Sequence, residues 1–235
     1  MSKLVLIRHG QSIWNSENRF TGWVDVDLSE KGVKEAETAG LLLKSENILF
    51  DFYYTSLLKR AYRTLEIILQ KIGEKRKFTK AWELNERHYG SLTGFNKDEM
   101  QKKLGEKQFK LYRRSWDIPP PELDENSEFS SYKDPLFKDL KVNQIPKTES
   151  LKNTFERAVP FYLNNIQPLL KNKKNVLISA HGNSLRAICK KIFSISDKDI
   201  NSLEIPTGNP MLIETENGTD IKEKKYLDLN RAKKI

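Results

Sequence analysis

Apolar residues along this chain fall into two kinds of run, and the alternation between them marks out an α/β protein. Leu4 to Ile7, with Lys3 ahead, and Asn175 to Ala180 are short unbroken runs of the kind a buried parallel strand shows. Val33, Ala36, Ala39, Leu41, Leu42 and Leu43 recur instead at helical spacing behind Ser29, a good N-cap. Leu58, Ala61, Leu65, Ile68, Leu69 and Ile72 do the same behind Ser56, the expected N-cap of a second helix. A strand is predicted over 50–56 and a short one over 78–82. Further helices are expected over 96–116, over 151–170 with a kink at Pro160, and over 184–193. Ile205 to Thr215 reads as a strand broken by Gly208 and Pro210, and a last strand falls near Lys225 and Tyr226.

Two stretches lack any period. Ser12 to Asp27 is a loop of polar and aromatic residues. Residues 118–150 open on Pro119, Pro120 and Pro121 and are punctuated by Pro135 and Pro146. A stretch this long without structure inside a domain is expected to be a functional lid or disordered.

The two buried strands end alike. One runs into Arg8-His9-Gly10-Gln11-Ser12 and the other into Ala180-His181-Gly182-Asn183-Ser184. Ligands of open α/β sheets bind at the carboxyl ends of the strands, so parallel neighbouring strands would bring His9 and His181 into one crevice. Gly10 is expected there as a residue free to take φ > 0. Arg60 falls in the first turn of the second helix, where the helix N-terminus already favours anions. Glu83 and Glu86 lie just past the third strand beside Arg87 and His88, as candidate general acid–base groups. The guanidinium forks of Arg113 and Arg114 suit carboxylate and phosphate.

Composition narrows the partners. At 235 residues the chain is long enough to bury a core as one domain, and 37% hydrophobic with 31% charged residues is ordinary for a soluble protein. No run approaches the ~20 apolar residues of a membrane span, and the first run is too short for a signal peptide. The single cysteine, Cys189, suits a reducing compartment and reads as a buried structural thiol. The net charge of +9 is spread along the chain without a nucleic-acid motif, which fits small polyanionic substrates. The three histidines and one cysteine lack the short spacing of zinc ligands. The chemistry this points to is phosphoryl transfer to a neutral imidazole, with cations on the moving group and on the pKa of the nucleophile.

Leu6-Ile7-Arg8-His9-Gly10, Arg19-Phe20-Thr21-Gly22-Trp23, Ser56 to Ala61, Glu83 to Gly90, Arg113 to Asp117 and Ala180 to Ser184 occur in that order. Over about residues 3–227 the chain thereby resembles the histidine phosphatase superfamily and, within it, the cofactor-dependent phosphoglycerate mutases. The resemblance implies a three-layer α/β/α fold, a mostly parallel sheet flanked by helices; the aperiodic insert near 118–150 is expected to be lid-like, and the basic tail near 228–235 mobile. It implies interconversion of 3-phosphoglycerate and 2-phosphoglycerate in the cytoplasm by a homodimer or homotetramer, without a metal. 2,3-Bisphosphoglycerate would prime a phosphohistidine. His9 then matches the nucleophile, Glu86 the proton donor and acceptor, and His181 the group that stabilises the transition state beside Arg8 and Arg60. Ligand contacts are implied for Arg8, His9, Gly10, Gln11, Ser12, Ile13, Trp14 and Asn15, for Thr21, Gly22 and Arg60, and for Glu86, Arg87, His88 and Tyr89. The same holds for Lys97, Arg113, Arg114, Gly182 and Asn183. Gln11 stands where these enzymes usually carry glutamate, a change expected to tune rather than abolish activity. Ser12 and Gly22 are similar to the glycolytic mutases rather than the bisphosphoglycerate mutases.

Overall fold

The computed structural model describes residues 1–234. β1 (Ser2–Arg8) buries both of its faces, as its apolar run requires: Leu4 and Leu6 pack one way, Val5 and Ile7 the other. The chain then makes one turn of helix, α1 (Ile13–Ser16), inside what reads as loop, because Ser12 and Asn15 form a reciprocal capping box. In α2 (Glu30–Ser45) Ser29 Oγ accepts the Gly32 N–H, and Ala36, Ala39 and Leu43 supply the buried stripe.

β2 (Phe52–Thr55) leads to α3 (Lys59–Ile72). The N-cap of α3 is Leu58, not Ser56. Its first free N–H, that of Lys59, is taken by Asp25 Oδ1 from the preceding loop. β3 (Thr79–Lys80) is two residues long. The basic stretch 96–116 is two helices, α4 (Lys97–Leu104) and α5 (Glu106–Arg114). They break at Gly105, whose φ of 77° and ψ of 155° no helix tolerates.

Residues 118–150 are neither disordered nor featureless. Short 3₁₀ turns at Ser131–Lys133, Pro135–Phe137 and Val142–Gln144 fold them onto the protein, and Phe137 and Ile145 pack with Trp23 and Leu58. α6 (Leu151–Phe161) contains Pro160 and widens into a π turn at Tyr162–Ile166 before α7 (Gln167–Lys171). Pro168 has no N–H to return to the carbonyl four residues back, which favours the wider turn there.

β4 (Val176–Ala180) is followed by α8 (Gly182–Ile192), and β5 (Met211–Glu216) pairs with β6 (Asp220–Tyr226). Residues 205–210 stay outside the ladder because Pro210 cannot donate to it; only Thr207 bridges to Arg8.

The strands run in the order β3-β2-β4-β1-β5-β6. The first four are parallel, and β5 and β6 add an antiparallel edge, so the sheet is mixed. α2 and α3 cover one face; α6, α7 and α8 cover the other. Cys189 lies buried in the second of these layers, its thiol pushed up to about 12 by burial. The expected loose tail is tied down through Arg231, which donates to Thr207 O, Gly208 O and Asp228 Oδ2. Ile235 lies outside the described residues. No helix among the described residues is long and apolar enough to cross a membrane.

Candidate active site

β1 and β4 are neighbours, and their register carries the His9 N–H onto Ala180 O at 2.9 Å. The two histidine rings meet edge to face, with centroids 4.9 Å apart. Gly10 serves this turn by close approach rather than by positive φ: a Cβ there would sit 2.2 Å from Gly32 O, at the start of α2.

His9 is 2% exposed. Its Nδ1 lies 2.6 Å from Gly10 O, which can only accept, so Nδ1 carries the proton and the Nε2 lone pair is free. Burial, then the charges of Arg60 and Arg8, hold its pKa well below 6.5, so the ring is neutral. His181 is equally buried and shifted the same way, by burial first and then by Arg60 and His9. Its Nε2 is 2.7 Å from Ser56 Oγ, which also takes the Leu58 N–H. Ser56 therefore serves the site rather than capping α3.

Arg60 sits in the first turn of α3, 1% exposed, and donates to Gly22 O and Val24 O at 2.7 and 2.9 Å. Burial lowers its pKa to about 10, which leaves it charged at neutral pH. Gly22 bends its carbonyl toward Arg60 with φ of 56°. Arg8 is anchored on Ile205 O at 3.0 Å, and its Nε lies close to the start of α8 at Gly182.

Glu86 faces the same cavity. Its Oε1 accepts the Arg87 N–H, the Asn183 N–H and Asn183 Nδ2 at 2.8, 3.1 and 2.9 Å. Burial pushes its pKa up, but those hydrogen bonds and the charges of Arg8 and Arg60 outweigh it and hold the carboxylate ionised, below its usual range. Arg186 fixes the amide of Asn183 by donating to Oδ1 at 2.8 Å, which turns Nδ2 toward Glu86 and the Tyr89 hydroxyl.

The cavity, about 120 Å³, is lined by Arg8, His9, Arg60, Glu86, Gly182 and Asn183. Asn15, Thr21, Gly22, Tyr89, Lys97, Arg113 and Arg114 also line it. Two buried donors of cavity-lining residues, Arg8 Nε and Thr21 Oγ1, have no protein partner and so could donate to a bound anion.

Other expected contacts, His181 among them, do not line the cavity. Ser12 is spent capping α1, Ile13 faces solvent, and Trp14 carries the Arg19 guanidinium 3.9 Å above its ring. Gln11 Oε1 accepts from Ser29 Oγ. The Arg87 side chain donates to the carbonyls of Tyr112 and Arg113, so it anchors the end of α5. His88 Nδ1 accepts the Gly90 N–H, and burial pulls its pKa to about 4. Glu83, the second carboxylate of the candidate pair, is not among the residues lining the cavity.

Arg19, Phe20 and Arg186 line the cavity without having been expected there. Arg186 had a readable signal, since it follows Gly182 by four residues on a helix whose start faces the site. Among the described residues no three His, Cys, Asp or Glu side chains cluster as a metal site. The insert at 118–150 supplies no residue of the cavity wall.

Residues 4–131 match the model of the histidine phosphatase superfamily, branch 1. A 2,3-bisphosphoglycerate-dependent phosphoglycerate mutase of Pelagibacter ubique is 52% identical over 235 residues, covering 100% of this chain and 99% of that one. The enzyme of the same name from Lactobacillus acidophilus is 50% identical, covering 97% and 100%. Among solved structures, a mycobacterial glucosyl-3-phosphoglycerate phosphatase superposes with a TM-score of 0.71 at 18% identity, over 96% of this chain and 97% of that one. A phosphoglycerate mutase from Bacillus anthracis superposes at 0.69 with 22% identity, over 96% and 91%. At those identities the superpositions speak for the fold alone.

Proposed function

The chain belongs to the histidine phosphatase superfamily, and on that footing we propose that it interconverts 3-phosphoglycerate and 2-phosphoglycerate as a 2,3-bisphosphoglycerate-dependent mutase. The observation that carries the reading is the pairing in one cavity of a neutral His9, its Nε2 free, with an ionised Glu86. Near 50% identity over full length to enzymes named as such mutases favours isomerisation over plain hydrolysis.

The residues present fit a ligand bearing two phosphates and a carboxylate. Arg8 and Arg60 line the cavity with His9 and would hold the moving phosphoryl group, with the His181 ring packed against His9. Lys97, Arg113 and Arg114 would grip the carboxylate and the other phosphate. On the phosphorylated enzyme, Glu86 starts ionised. It takes the proton of the substrate hydroxyl as that oxygen attacks phosphorus and the P–N bond to His9 breaks. After the bisphosphorylated substrate turns over, the His9 Nε2 lone pair attacks its other phosphate. The P–O electron pair stays on oxygen, and Glu86 returns the proton there. The resting charge of Glu86 is therefore the one the first transfer needs. Positioned cations and dipoles supply most of the remaining stabilisation.

The test is conversion of 3-phosphoglycerate with and without catalytic 2,3-bisphosphoglycerate, alongside capture of the acid-labile, base-stable label it leaves on the protein. Conversion that needs no bisphosphorylated primer, or a label that persists in His9→Ala, rules the reading out. A cytoplasmic dimer or tetramer belongs to the same proposal, and light scattering decides its oligomeric part.

A further inference from the structure

The turn that carries Glu86 has almost no regular structure of its own. Between the 3₁₀ turns at Trp82–Leu84 and Gly90–Leu92 its carbonyls have neither a ladder nor a helix to bond. Arg157 fills most of that gap. Arg157 of α6 donates through Nη1 to Glu83 O at 2.7 Å and Asn85 O at 3.0 Å, and through Nη2 to Glu86 O at 2.9 Å. Its Nε and the second Nη2 proton go to Glu149, at 2.7 and 2.9 Å. All five guanidinium N–H donors are thus spent, three of them on the backbone of the acid–base turn.

Glu149 completes the clamp. Its Oε2 also accepts the His88 N–H at 2.8 Å, and its own N–H returns to His88 O at 3.0 Å. Trp23 Nε1 takes the other lone pair of Glu86 O at 2.7 Å. The two charged side chains are 8% and 4% exposed. A buried ion pair brings little net stability over apolar residues of the same volume, so this one is better accounted for by the geometry it imposes.

We propose that the Glu149–Arg157 pair, with Trp23, is the positioning element that aims the Glu86 carboxylate at the substrate oxygen, and so ties the end of the 118–150 insert to proton transfer. The inference rests on the mutase reading of the site. Arg157 touches no reacting atom and acts only through Glu86. Its loss then damages only those phosphoryl transfers in which the oxygen must gain or lose a proton.

That selectivity makes the test. Phosphorylation of His9 by 2,3-bisphosphoglycerate needs a proton delivered to an alcohol leaving group. Phosphorylation by p-nitrophenyl phosphate does not, because p-nitrophenolate leaves as a stable anion near neutral pH. Arg157→Lys keeps the charge but not the planar fork of five donors. It should slow labelling by 2,3-bisphosphoglycerate roughly 10–10²-fold, part of the span for a lost acid–base group. Labelling by p-nitrophenyl phosphate should remain near that of the unaltered protein, with KM for the phosphoglycerates unchanged. Trp23→Phe removes one donor from the same carbonyl while keeping a ring in the cluster; it should show the same selectivity at smaller size, and it carries the test if Arg157→Lys does not fold. Parallel loss with both donors, or no loss with either, overturns the inference. Failure of the unaltered protein to label at His9 with either donor overturns the functional reading beneath it.

Discussion

His9 and His181 lie edge to face at 4.9 Å, at the ends of parallel strands, with the charges of Arg8 and Arg60 acting on both rings. Neither imidazole can take up a proton there cheaply, since each would become a buried cation among cations. The contact therefore keeps the nucleophile ready below the pH at which an ordinary histidine fails.

At pH 6.0 an imidazole of pKa 6.5 would be roughly three-quarters protonated and its attack slowed to match. His9 should instead be labelled by p-nitrophenyl phosphate, whose leaving group needs no proton, at the same rate at pH 6.0 as at pH 7.5. A rate that titrates with a midpoint near 6.5 would show that the ring is open to solvent in the working enzyme.

Glu86 accepts three N–H groups on one oxygen, which holds it ionised in spite of its burial. Glu86→Gln keeps the shape but can take no proton. Turnover should fall by about 10²–10⁴-fold with little change in KM. Near-normal turnover in this variant would remove Glu86 from the mechanism and return attention to the other groups in the cavity.

Acid should weaken the fold through the same buried rings. In the unfolded chain His9, His88 and His181 bind protons near pH 6.5; folded, they resist, and His88 does so down to about 4, chiefly because it is buried. Between those values the unfolded state holds more protons, so stability is full above pH 6.5 and is lost as pH falls toward the folded pKa values. His88 alone accounts for about 3 kcal/mol over that range. Urea midpoints at pH 7 and pH 4.5 measure it: the drop should be smaller in His88→Asn than in the unaltered protein. An equal drop in both would mean that carboxylates, not this ring, govern acid unfolding.

The site was legible where one residue pattern determines one local geometry. Two apolar runs ending in His-Gly needed only parallel pairing to meet, and Arg60 needed only a helix start. Ser56 misled because a serine ahead of an apolar helical pattern looks like a cap; its hydroxyl is committed to His181, a partner far away in sequence. Arg157 gave no signal at all, since a lone arginine on an amphipathic helix looks solvated until the turn at 83–86 is folded against it. The insert could have been read as disordered because it has no period, and the burial of Phe137 and Ile145 depends on Trp23 from a distant loop. In each case a contact between distant segments decided the outcome, which no local spacing encodes.

The remaining prediction concerns what separates a mutase from a phosphatase on this fold. A phosphoryl group on His9 is open to water unless the bound glycerate fills the cavity, so retention of the substrate and exclusion of water are one problem. Among the cations lining the cavity are Lys97 on α4 and Arg113 and Arg114 at the end of α5, whose last carbonyls Arg87 holds in place. Arg114 stands at the rim, 35% exposed and 4.0 Å from Glu204. Arg113→Ala or Arg114→Ala removes a charge-assisted grip of the kind that contributes about 1.5–3 kcal/mol, so KM for the phosphoglycerates should rise by roughly 10–10²-fold. With the glycerate leaving early, water should reach the phosphohistidine more often. The ratio of inorganic phosphate released to 2-phosphoglycerate formed should therefore climb in both variants, and further in the double variant. Arg87→Lys, which loosens the end of α5 without touching the cavity, should move the ratio the same way by less. A ratio that stays flat while KM rises would mean that the arginines bind substrate but do not shield the intermediate. The shield would then have to come from the segment around Arg19 and Phe20, which lines the same cavity.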